Sequence, residues 1–208
     1  MRKLALWVLV CLAPSCGGSL SGVVFSGTDT AAPDGKLGIV AHKDKGGVTV
    51  MRLDHLLRLD LPYAEDWKAE SSPDRLIYAS SSAAEVIATV HVFKLEKPAD
   101  DEAYLRDQVL KSTQEAFEKG GGRFKDIAFS QHHGLTDNVL LEYLAEVPLE
   151  NGTAFRQMHF WSVRHENGRF YRAHVSTSCA TEPKRTEQIR QLRDFVGRRF
   201  GALPMPQK

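Results

Sequence analysis

Three long β-rich runs between residues 139 and 178 are separated by Asn151-Gly152 and Asn167-Gly168. Asn-Gly adopts left-handed backbone at little cost, so between such runs it is the strongest short-range signal for a tight hairpin. Two in succession dictate a three-strand antiparallel meander, and the rest of the chain must extend it or cover it. With two-residue turns at both sites, Trp161 lies opposite Glu142 on one neighbour and His174 on the other. One face then collects Leu141, Tyr143, Ala145, Val147 and Leu149 with Ala154, Met158, Phe160, Tyr171, Ala173 and Val175, which is a core face. The other aligns Glu142, Trp161 and His174, flanked by Leu144, His159 and Ser176 and by Leu140, Val163 and Arg172.

Upstream of the meander, Val48 to Leu53 and the alternating Leu57, Leu59 and Leu61, closed by Pro62, read as strands. Trp67 follows, and Leu76 to Ser80 and Val86 to Phe93 are two more β-rich runs joined by a serine- and alanine-rich turn. A helix is expected from Pro98-Ala99-Asp100-Asp101-Glu102, with Asp100 as its cap, to Gly120-Gly121-Gly122. Leu105, Val109, Leu110, Thr113, Ala116 and Phe117 form its buried stripe. Phe124 to Ser130 reads as a strand. The last helix runs from about Glu182 to Phe200, capped by Thr181, with Ile189, Leu192, Phe195, Val196 and Phe200 as its stripe. The expected class is α+β: an antiparallel sheet of about six to seven strands packed with helices.

The strand closing in Leu57, Leu59, Leu61 and Pro62 with Trp67 soon after, the turns at Asn151-Gly152 and Asn167-Gly168, and the terminal Ile189, Leu192, Val196 and Phe200 resemble, in this order, the PsbP-like fold superfamily. The resemblance covers residues 48–204. It implies an α/β/α sandwich around an antiparallel sheet and largely non-catalytic, partner-binding roles. It implies no catalytic residue.

The N-terminus states an address. Met1-Arg2-Lys3 is a basic start, Leu4 to Ala13 an apolar run, and small residues follow, the pattern of a secretory signal peptide over residues 1–15. Ala13-Pro14-Ser15 suits ordinary signal peptidase, whereas Leu12 to Cys16 followed by Gly17-Gly18-Ser19 resembles a bacterial lipobox; both readings cut before Cys16. The expectation is a lipid on Cys16, an exported envelope protein, and by the Gly17 convention the outer membrane. Cys11 leaves with the signal and an acylated Cys16 leaves Cys179 as the remaining thiol, so no intramolecular disulfide is expected. Residues 16–47 are rich in Gly, Ser, Asp and Thr and read as a flexible tether. Within it Val23-Val24-Phe25 and Leu37 to Val40 read as incidental. Residues 205–208 are a short tail.

Charge excludes one class of partner: 27 Lys+Arg against 26 Asp+Glu leave no basic field for nucleic acid. The sequence contains no Gly-x-Ser-x-Gly, His-Glu-x-x-His, Cys-x-x-Cys, calcium loop or dinucleotide fingerprint. Glu142, His159, Trp161, Arg172 and His174 form the candidate ligand or partner face, since a carboxylate, two imidazoles, a guanidinium and an indole on adjoining strands suit a polar ligand. His132-His133 and the basic last helix read as ordinary surface features, and Gly120-Gly121-Gly122 as a helix stop. No metal or cofactor is expected, and a monomer is. The expected function is a membrane-tethered, non-catalytic module for an envelope protein partner. The alternative is a small envelope hydrolase, or a metal- or ligand-binding protein, using Glu142, His159 and His174.

Overall fold

The meander forms, with one change at its first turn. In the computed structural model, which describes residues 23–25, 37–42, 46–72, 75–93, 100–133, 138–166, 169–178 and 183–202, its strands are β9 (Asn138–Pro148), β10 (Ala154–Glu166) and β11 (Arg169–Ser178). Glu166 faces Arg169 and Trp161 faces His174, the register of a two-residue second turn; Asn167 and Gly168 themselves lie outside the described residues. At the first turn Ala154 pairs with Pro148 and Trp161 with Leu141, one residue away from the expected register. The loop is Glu150-Asn151-Gly152, three residues long: Leu149 N–H donates to Thr153 O at 2.8 Å and Gly152 N–H to Leu149 O at 3.0 Å. Asn151 accepts from Thr153 N–H through its side chain, and Gly152 alone takes positive φ, +81°. The turn is thus a type I turn followed by a left-handed glycine, which matches strand twist as well as a two-residue turn does.

The meander lies within a seven-stranded antiparallel sheet of order β5-β6-β7-β11-β10-β9-β8, where β5 is Lys68–Glu70, β6 Ile77–Ser81, β7 Val86–Phe93 and β8 Arg123–His132. The edge strand β8 carries a bulge between Lys125 and Ala128, with Asp126 at φ +52°. A second sheet has the order β1-β2-β3-β4-β12, with β1 Val23–Phe25, β2 Leu37–His42, β3 Gly47–Arg52, β4 Leu57–Pro62 and β12 Gly201–Ala202. The tether therefore does not run to residue 47. Leu37 and Ile39 alternate on β2 and are buried with Val48 and Val50 of β3, so a run too short to stand alone is held by its ladder and its core face. Residues 1–15, Cys16, Thr181 and the tail lie outside the described residues.

One face of the large sheet, through Leu140, Phe160, Tyr171, Ala173, Val175, Ala88 and Val90, shares a core with the small sheet and the C-terminal helix. That helix, Pro183–Asp194 continuing through a wider turn Phe195–Arg199, contributes Leu192, Val196 and Phe200. Trp67 closes the same core and donates its Nε1–H to Pro62 O at 2.9 Å. The central helix covers part of the opposite face. It runs through Asp101–Tyr104, Leu105–Leu110 and Lys111–Glu118, and Leu105, Val109 and Leu110 rest on Leu141, Tyr143, Val163 and Phe170. Asp100 caps it, accepting from the N–H groups of Glu102 at 2.8 Å and Ala103 at 3.1 Å. The class is α+β, as expected, but the second covering layer is a small sheet and a helix together. Among the described residues no helix is long and apolar enough to cross a membrane.

Candidate functional site

The one-residue shift at the first hairpin decides which candidate residues meet. Side chains alternate along a strand, so it moves every β9 residue to the opposite face relative to β10. Glu142 now faces Phe160 and points toward the C-terminal helix, where Arg193 Nε–H donates to its Oε2 at 2.6 Å. It is removed from the histidine row. Tyr143 takes its place beside His159, while the second register keeps His159, Trp161, Arg172 and His174 on one face.

These rings form a continuous stack. Phe124 lies 4.1 Å from Tyr143, Tyr143 5.0 Å from His159 and His174 3.9 Å from Trp161, all within 20° of parallel. His159 Nδ1 and His174 Nε2 are hydrogen-bonded at 2.9 Å, one donating and one accepting, and Trp161 Nε1–H donates to Tyr143 Oη at 3.1 Å. Burial lowers the His159 pKa to about 4. Burial lowers His174 well below the ordinary histidine value, helped by His159, Arg172 and His91 nearby. Both imidazoles are neutral at pH 7, and His159 Nε2 is sealed from solvent with no hydrogen-bond partner among the described residues. Among the described residues no hydroxyl or thiol is hydrogen-bonded to either imidazole, whose ring nitrogens Nδ1 and Nε2 bond each other. Among the described residues no three His, Cys, Asp or Glu side chains converge as a metal set.

Arg172 borders the stack. Its guanidinium lies 4.9 Å from the Phe93 ring centre and 5.5 Å from that of Trp161, and Nη1 donates to Tyr104 Oη at 3.5 Å. The helix residues Leu105, Val109 and Leu110 pack over the β9 and β10 side of this face. Toward β7 and β6 the rows Arg172–His91 and His174–Thr89–Tyr78 are half-exposed, as is Ile87 beside them.

Sequence reasoning missed a second charged cluster. Glu146 is buried, with a side chain only 1% exposed, under three cations: Arg123 Nε at 2.6 Å, Lys125 Nζ at 2.7 Å and Arg156 Nε at 2.9 Å. Lys125 and then Arg123 hold its pKa down, to about 2. Arg123 and Arg156 are its direct cross-strand partners, so the cluster was legible given the right register. His132 hydrogen-bonds Ser130 Oγ at 2.9 Å and packs on Gly197.

No family model matches the sequence, and no curated protein matches it. Among solved structures, the chain is similar to the solution structure of cyanobacterial PsbP (CyanoP) from Synechocystis sp. PCC 6803. The TM-score is 0.51 and the identity 14%, over 85% of this chain and 98% of that one. The likeness shows the fold, a PsbP-like α+β arrangement.

Proposed function

We propose that this chain is a membrane-tethered, non-catalytic lipoprotein of the bacterial cell envelope, acylated on Cys16 at the outer membrane, acting as a protein-interaction or accessory module. The observation that carries the reading is the half of the large sheet on which the central helix does not rest. Tyr78, Ile87, Thr89, His91 and Arg172 lie partly exposed in adjoining rows, beside the part on which the central helix rests. A surface with aromatic and arginine side chains amid small polar ones, on a rigid sheet, has the composition of a protein interface. The alternative of a Glu142, His159 and His174 catalytic or ligand site has lost its carboxylate to the other face.

The test has two parts. Cys16→Ser is expected to release the mature protein from the membrane fraction and to abolish acyl mass; a wild-type chain found soluble and unmodified overturns the anchor. A photo-crosslinking residue at Thr89 is expected to give a discrete adduct with an envelope protein, and one at Gln114, on the central helix, is not. Equal labelling from both positions, or none from Thr89, overturns the docking surface.

A further inference from the structure

Arg172 differs from the arginines that pair with acids. Arg52, Arg58, Arg123, Arg156 and Arg193 each lie within 4.0 Å of a carboxylate. Arg172 has no carboxylate at that distance among the described residues; its neighbours across the ladders are His91 and Val163, and His174 follows two residues on. Its Nε is sealed from solvent and has no hydrogen-bond acceptor. A guanidinium stays charged at any physiological pH, so it cannot escape the cost of partial burial by losing its proton. Aromatic rings at Phe93 and Trp161 offset some of that cost, and the Tyr104 hydroxyl occupies Nη1. Among the described residues the Nε and Nη2 edge has no hydrogen-bond partner, and that edge is the fork that takes a planar carboxylate through two parallel hydrogen bonds.

We propose that Arg172 is the anchor of the half-face beside the central helix and binds a carboxylate, the Asp or Glu side chain of a protein partner. The proposal rests on the docking reading above and names the chemistry of what docks. A carboxylate fits better than a phosphate group because a single cation stands here between aromatic walls. A phosphate carries nearly two charges and is usually held by several donors and cations. Seating the carboxylate requires the flexible arginine stem to swing its sealed edge outward, which the partly exposed position of Arg172 permits.

The experiment titrates the mature full chain, in detergent micelles, with N-acetyl-glutamate methylamide, and follows the Trp161 indole and Arg172 Nε–H resonances. N-acetyl-glutamine methylamide and inorganic phosphate serve as comparison probes. The expected result is a saturable shift of both signals with the glutamate probe and none with the glutamine probe. Arg172→Gln abolishes the Trp161 shift while the chain still unfolds in one cooperative urea transition, since it gives up two ring contacts and a long hydrogen bond to Tyr104 but no ion pair to a described residue. Arg172→Lys keeps the charge without the fork and weakens binding at least tenfold. A response to phosphate stronger than to glutamate, a Trp161 shift that persists in both variants, or no saturable shift overturns the assignment. If the glutamate probe fails while the Thr89 adduct survives, the carboxylate alone is wrong; if the adduct is absent as well, the docking surface falls with it.

Discussion

His159 and His174 share a hydrogen bond inside a ring stack, and burial holds both well below the ordinary imidazole pKa. Unfolded, they titrate near pH 6.5, so between that value and the folded pKa the unfolded chain binds protons that the folded chain refuses. Stability is therefore complete above about pH 6.5 and falls as the pH drops toward the folded value. Between pH 7 and pH 5, where carboxylates hardly titrate, His159 alone is expected to cost roughly 2 kcal/mol. Urea denaturation at the two pH values checks this, with His159→Leu/His174→Leu as the variant whose loss over the interval is clearly smaller, the remainder coming from His55 and His132, which burial also lowers. Gly197 is a second pressure point. A Cβ there meets His132 Cδ2 at 2.7 Å, and that ring is held by Ser130. Gly197→Ala is expected to destabilise by about 1–3 kcal/mol through overpacking, read as a fall in melting temperature. At this scale the candidate face was four-fifths legible: His159, Trp161, Arg172 and His174 share it, and Glu142 does not.

The missing carboxylate is explained by a turn. Asn151-Gly152 was read as the two central residues of a type I′ hairpin, but Asn151 spends its side chain on Thr153 and only Gly152 takes positive φ. Dipeptide identity cannot separate that turn from the three-residue one, since both place glycine in left-handed backbone; the flanking run lengths were consistent with either. The helices were easier because their end signals are chemical. Asp100 caps the central helix through two N–H groups, and Asp100→Ala is expected to cost about 1 kcal/mol, visible in thermal melts and in faster amide exchange over the first turn. The three strands β8, β9 and β10 are tied by Glu146 beneath Arg123, Lys125 and Arg156. Glu146→Gln leaves those cations facing one another. Its urea midpoint is expected to fall at low ionic strength and to recover toward wild type in high salt, the sign of screened repulsion.

For the whole molecule, strand and helix types and the α+β class could be read from periodicity, whereas the division into two sheets could not. The alternation of Leu57, Leu59 and Leu61 marks a strand with one buried face, yet it is silent on which ladder that strand joins. Length misled at β2, where six residues gain their place from β1 and β3 rather than from their own propensity. The small sheet also gathers distant parts of the chain: Arg58 pairs with Gly201, and Leu57, Leu59 and Leu61 share a core with Leu192, Val196 and Phe200. Contacts across more than 130 residues cannot form until the last turn of the last helix exists. During synthesis β2, β3 and β4 can pair with one another, but part of the face carrying Leu57, Leu59 and Leu61 stays uncovered until Leu192, Val196 and Phe200 have been added.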